Sequence, residues 1–80
     1  MDKFNTIQGI KKELKQEYPY VKSFKMELYE ESDFSEIYIN GYNSKGEYLD
    51  SITYATGDTD SEIDEIRQIY KNSKMKKVQN

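Results

Sequence analysis

Carboxylates and phenols carry whatever chemistry this chain can do. Glu27, Glu30, Glu31, Asp33 and Glu36 crowd one short stretch, and Tyr29, Tyr38 and Tyr42 are interleaved with them or follow directly. Carboxylates supply negative charge and hydrogen-bond acceptors, while phenols supply rigid contact area with a polar tip. Together they suit recognition of a basic protein surface better than catalysis. The 80 residues include no His, Cys or Trp. That removes the commonest general base, the thiol nucleophile and the nitrogen and sulfur ligands of zinc sites. Catalysis by a carboxyl group or a lysine would need a pocket that shifts its pKa, and a chain this short with 35% hydrophobic residues seldom encloses one. The expectation is a protein that is not an enzyme and holds no cofactor and no metal.

The distribution of charge is more telling than its total. The net charge is −3, yet residues 1–26 balance to +3, residues 27–66 to −11 and residues 67–80 to +5. The centre is acidic and both ends are basic. Carboxylates two residues apart on a strand stand about 7 Å from one another, close to the distance between successive phosphates of a DNA strand. An acidic sheet-and-loop surface can therefore imitate a duplex backbone. The competing explanation is a solvated acidic face that keeps a small protein apart from its neighbours. The acids from Asp58 to Glu65 need no further role, because helix starts favour them.

These side chains must be positioned by five elements. Phe4, Ile7, Ile10 and Leu14 recur at the period of one helical face, which predicts a helix over residues 4–18. Pro19 disfavours helical geometry at Tyr18 and ends it. Gly9, inside that helix, suggests close packing or a partner contact. Strands follow over 21–29, 35–42 and 47–55. In the first, Phe24, Met26 and Leu28 alternate with Lys25, Glu27 and Tyr29; in the second, Ile37 and Ile39 alternate with Glu36, Tyr38, Asn40 and Tyr42. Asn43-Ser44-Lys45-Gly46 supplies turn chemistry, with Gly46 suited to positive φ. The third strand is ambiguous: Ile52 and Tyr54 share a side with Asp50, and Leu49 lies on the other, which suggests a bulge. Thr59 and Glu62 form a capping box for a helix over 60–73, with Ile63, Ile66, Ile69 and Tyr70 on its apolar face. Residues 74–80 read as a frayed basic tail.

The order α-β-β-β-α defines an α+β fold: one small domain over 1–80, with a three-stranded antiparallel sheet and both helices packed on one face. Tyr29, Tyr38 and Tyr42 then fall on the other face beside Glu27, Glu36 and Asn40. No apolar run approaches the roughly 20 residues that cross a bilayer, and Met1-Asp2-Lys3-Phe4 lacks an apolar leader, so no membrane contact and a cytoplasmic location are expected. The small core is compatible with a homodimer that hides more surface.

Other patterns explain less. Acids alternate from Asp58 to Asp64 as in a calcium loop, but the sixth position is Ile63 rather than Gly and the twelfth is Ile69 rather than Glu. Lys71, Lys74, Lys76 and Lys77 could meet an anionic surface, although a solvated helix end accounts for them. The element order resembles that of the double-stranded RNA-binding domain. That family contacts phosphates through a basic start of its second helix, where this chain has Asp58, Asp60, Glu62, Asp64 and Glu65, so no direct nucleic-acid binding is expected.

In size, acidic middle, α-β-β-β-α order and a Lys-, Tyr-, Ile-, Asn- and Glu-rich composition of the AT-rich kind, the chain resembles small inhibitors carried by phages and mobile elements, of the anti-CRISPR and anti-restriction type. The resemblance is one of class, with no motif matched residue by residue. It implies a non-enzymatic protein-binding module that mimics DNA and blocks a nuclease or other nucleic-acid-binding enzyme. The partner-binding candidates are Glu27, Tyr29, Glu30, Glu31, Asp33, Glu36, Tyr38 and Tyr42. The alternative is a small self-associating structural or assembly protein with a solvated acidic face.

Overall fold

The computed structural model describes residues 6–73; Phe4 and the basic tail 74–80 lie outside the described residues. Helix α1 spans Ile7–Glu17, strands β1, β2 and β3 span Ser23–Glu30, Ser35–Tyr42 and Tyr48–Gly57, and helix α2 spans Asp60–Asn72. The fold is α+β, as the alternation of periods requires. Thr6 caps α1, its hydroxyl accepting from the Gly9 amide at 3.0 Å. Gly9 is exposed, and a Cβ there would fall 2.9 Å from that hydroxyl. Its local reason is therefore the cap, and no core contact is involved. Tyr18, at φ −131° and ψ 87° and so outside helical geometry before Pro19, ends the helix.

The three strands pair antiparallel in the order β1-β2-β3. Ile10 and Leu14 of α1 and Ile66 of α2 meet Met26, Ile37, Ile39 and Ala55 in one cluster, which places both helices against the same face of the sheet. Ile7, Phe24, Leu28, Ile52, Tyr54, Ile69 and Tyr70 border it, partly buried. Val21 is also buried although it lies in the connection before β1. The first strand therefore starts at Ser23 and not at Val21 as the alternation implies; strand alternation would set Val21 with Lys25 and Glu27, but outside the strand it turns in against Gly41.

Register decides the ambiguous third strand. Ile37 pairs with Ala55 and Ile39 with Ile52, but Tyr38 pairs with Thr53, leaving Tyr54 as an inserted residue. A second shift leaves Leu49 between the Gly41–Asp50 and Tyr42–Tyr48 pairs. A regular strand would send Ile52 and Ala55, three residues apart, to opposite faces. The bulge at Tyr54 sends both toward the helices. Asp50 thereby turns to the helix side, where its Oδ2 lies 3.5 Å from the donating Tyr18 hydroxyl.

Turn and cap chemistry match the residues that supply them. Asn43 accepts through its side chain from the amides of Lys45 and Glu47 at 2.9 and 3.0 Å, and Gly46 adopts φ of 80°, a region other residues enter at a cost. At α2, Thr59 accepts from the Glu62 amide at 3.2 Å and the Glu62 carboxylate accepts from the Thr59 amide at 3.3 Å. Gly57 lies beneath this box. A Cβ there would fall 2.5 Å from Glu62 Cβ and 3.2 Å from Ile66 Cδ1, so glycine is what lets β3 run directly under α2.

Candidate functional site

Packing both helices on one side leaves the other side of the sheet uncovered among the described residues. Lys25, Glu27 and Tyr29 of β1, Glu36, Tyr38, Asn40 and Tyr42 of β2, and Tyr48, Ser51, Thr53 and Thr56 of β3 share that side by register. Most are half-buried by one another, whereas Tyr29 and Tyr48 are 46% and 58% exposed. The face is polar and aromatic, the chemistry of a contact surface that also tolerates water.

Its phenols are tied to its acids. Tyr29 donates to Glu31, and Tyr38 donates to Glu36. Glu36 also accepts from the Thr56 hydroxyl at 3.3 Å. The hydrogen bond to Glu31, followed by its charge, raises the Tyr29 pKa above its ordinary value; the hydrogen bond to Glu36, followed by burial and the Glu36 charge, raises that of Tyr38. Both phenols stay neutral donors that orient carboxylates. Tyr42 accepts from Asn40 Nδ2 at 3.3 Å and stacks edge-on against Tyr48 with ring centroids 6.1 Å apart. Tyr48, which the alternation of the ambiguous third strand hid, thus extends the aromatic surface to β3.

The eight candidate residues do not all come together. Glu27, Tyr29, Glu36, Tyr38 and Tyr42 share the open face, with Glu31 joined to it through Tyr29. Glu27 is partly neutralised by Lys25, whose ammonium lies 3.1 Å away. Hydrogen bonding to Glu27, followed by its charge, raises the Lys25 pKa, so Lys25 stays protonated. Glu30 belongs to the helix side and accepts from Arg67 Nε of α2; hydrogen bonding to Glu30 raises the Arg67 pKa. Because period-two alternation separates Glu30 from Glu31, the acids do not form a single row of carboxylates along β1. Asp33 sits in the β1–β2 loop, exposed.

That loop lies against the start of α2. An open depression is lined by Asp33, Phe34, Thr56, Gly57, Asp58 and Glu62, and a neighbouring one joins Ser32 to Asp60, Asp64 and Arg67. Two acidic stretches far apart in sequence, 31–33 and 58–64, therefore meet at one end of the molecule. The helix-start acids are explained locally by capping and dipole, and no feature of the sequence announces that the hairpin loop joins them. At another place Lys11, Lys12 and Lys15 of α1 gather beside Phe24, with Lys11 Nζ 5.3 Å from the Phe24 ring centre. Among the described residues no group of three or more metal-ligating side chains is placed to hold an ion. No helix among them is long and apolar enough to cross a membrane.

Comparison with known proteins finds no matching family model, no similar curated protein and no similar solved structure.

Proposed function

We propose that this protein is a non-enzymatic, cytoplasmic protein-binding module of the phage or mobile-element inhibitor type, whose acidic, tyrosine-bearing surface takes the place of DNA on a basic nucleic-acid-binding enzyme. The observation that carries this reading is the uncovered sheet face with Glu27, Glu36, Tyr29, Tyr38 and Tyr42, continuous at its loop end with Glu31 and close to the Asp33–Asp58 acids. Carboxylates held by phenol hydroxyls present negative charge in a fixed array, which lowers the ordering cost of docking. Exposed Tyr29 and Tyr48 rings add the rigid amphipathic area typical of interface anchors. Glu30, engaged with Arg67 on the helix side, has a smaller share in the surface than its position in the acidic stretch suggests.

A charge-reversal set tests it. Glu31→Lys, Asp33→Lys and Glu36→Lys should release a basic, nucleic-acid-handling protein that the wild-type chain retains at low salt. Tyr42→Ala should weaken retention with less dependence on salt, since the contact it removes is not ionic. DNA should compete with the wild-type chain for the recovered enzyme. Retention unchanged by the triple reversal, or a partner indifferent to DNA, overturns the reading.

A further inference from the structure

Helix α1 sorts its charges by flank. At 3.6 residues per turn, Lys11, Lys12 and Lys15 fall on one flank, whereas Glu13 and Glu17 fall on the other. No acid of α1 stands three or four residues from any of the three lysines, so the pairs that ordinarily balance a helix surface do not form along this flank. None of the three enters an ion pair among the described residues. With Gln8, Gln16 and Phe24 they border one open depression. Lys11 Nζ lies 5.3 Å from the Phe24 ring centre. The ring is thus engaged, and the ammonium and amide groups of the rim are what can receive a ligand.

The opposite charge sits at the other end of β1. Glu31, Ser32 and Asp33 of the β1–β2 loop are all exposed. The loop is tied at its base, where the Glu31 amide donates to the Phe34 carbonyl at 2.9 Å, and the Glu31 carboxylate accepts from Tyr29. Phe24 and Glu31 are separated by seven residues of strand, roughly 23 Å. Loop and depression therefore cannot meet within one molecule. We infer that the Glu31–Asp33 loop of one copy seats in the lysine-lined depression of α1 on a second copy.

The fit is one of charge, spacing and order. Lys11 and Lys15 are one helical turn apart, a rise of about 6 Å. Glu31 and Asp33, two residues apart, span up to about 7 Å. Each carboxylate can thus meet its own ammonium, with Lys12 beside them and the Gln8 and Gln16 amides as further donors. Tyr29 already orients Glu31, which lowers the ordering cost of the contact. A nucleic acid suits the same lysines less well. Its phosphates would also face the acidic block of residues 27–66 on a chain of net charge −3, whereas a loop brings two carboxylates and ends. Loop and depression are different surfaces, so the contact is heterologous, and it either closes on itself or adds further copies. Glu31 and Asp33 also belong to the surface proposed for the enzyme, so a basic enzyme and α1 of a second copy compete for them. The self-contact itself rests on the charge pattern and needs no enzyme.

Sedimentation of the full chain at low and high salt tests it. At low salt the average mass should rise with concentration, and at about 0.5 M salt it should return to that of the monomer. K11E/K12E/K15E and E31K/D33K should each weaken association about tenfold or more. Mixing the two variants should restore it, because each supplies the surface that the other has reversed, and that rescue separates an interface effect from a folding defect. In a dilution series the amide resonances of residues 11–16 and 31–33 should move, and those of the Asn43–Gly46 turn should not. The lysine reversals leave the acidic surface intact, so retention of an enzyme by K11E/K12E/K15E reads the proposed function separately. A monomer at low salt and about millimolar concentration overturns the inference. So does association indifferent to salt or to either variant, or a mixture that fails to restore it. Binding of a single-stranded oligonucleotide through the lysines without self-association would assign the flank to nucleic acid instead. Association lost on Tyr38→Ala but kept by K11E/K12E/K15E would move it to the open face; both outcomes overturn the loop contact.

Discussion

The two faces of the sheet are built from the same strands, one residue out of step, and they obey different rules. On β2, Ile37 and Ile39 are fully buried, while Glu36, Tyr38, Asn40 and Tyr42 between and beside them are half-exposed. The inner face is held by apolar area removed from water and by shape, so its side chains have few acceptable replacements. The outer face is held by cross-strand contacts and by hydrogen bonds from phenol to carboxylate, each of small net value in water. The comparison teaches that the two faces differ in what they contribute to stability: removing a side chain from the outer face should cost far less than removing one from the inner face.

The sharpest way to break that separation is to substitute neighbours of opposite orientation. Ile39→Ala should cost about 2–5 kcal/mol in chemical denaturation, whereas Tyr38→Ala, one residue away, should cost under about 1 kcal/mol. Equal losses would mean that the outer face is part of the core after all. Gly57→Ala should come next, at about 1–3 kcal/mol, because the added methyl meets Glu62 Cβ and Ile66 Cδ1 where β3 passes under α2. A thermal scan that leaves the midpoint unchanged would show that α2 can shift freely.

Ser35 is the exception on the inner side, fully buried with a hydroxyl that has no hydrogen-bond partner among the described residues. Ser35→Ala should be neutral or stabilising by up to about 1 kcal/mol, since it removes a desolvated polar group without loss of volume elsewhere. A clear destabilisation would reveal a partner for that hydroxyl.

The smallest expected effect is alkaline. Tyr29 and Tyr38 have pKa values raised above 10.0 by Glu31 and Glu36. Folded phenols with raised pKa bind protons more tightly than unfolded ones, so their contribution is present below pH 10 and lost as pH rises through the folded values. Tyr29 is exposed and Tyr38 only partly buried, and screening by solvent keeps the loss slight. Ultraviolet titration should show phenols ionising later in the folded chain than in urea, and Glu36→Gln should move one of them back. Titration identical in both states would remove the phenol–carboxylate pairs from solution.

How much of this was legible in the sequence depended on whether the signal was local. The capping box at Thr59 and Glu62, the turn at Asn43–Gly46 and the alternation of β1 and β2 are local and appear where the residues imply. Gly9 reads as a packing or partner contact only because the cap at Thr6 is not visible in the helical period. The face of β3 was not legible, since a strand with Asp50, Ile52 and Ala55 on one side violates period two until the bulge at Tyr54 is known. Val21, read as the start of the first strand, has the parity of Lys25 and Glu27, and its burial is explained only once β1 is seen to begin at Ser23. For the candidate site, alternation separates Glu27 and Tyr29 from Glu30, but nothing along the chain tells that Glu30 will be taken up by Arg67, or that Asp33 will lie beside Asp58.

The sequence by itself determined the order of elements, which residues of β1 and β2 face the helices, where α2 begins, and that the acids concentrate in the middle of the chain. Those follow from backbone geometry, the hydrophobic effect and capping, which act over a few residues. Tertiary structure alone decided the inner face of β3, the pairing of Glu30 with Arg67, and the meeting of the β1–β2 loop with the start of α2. These depend on strand register and helix placement, which are set by the packing of the whole core, and packing couples residues that no local rule connects.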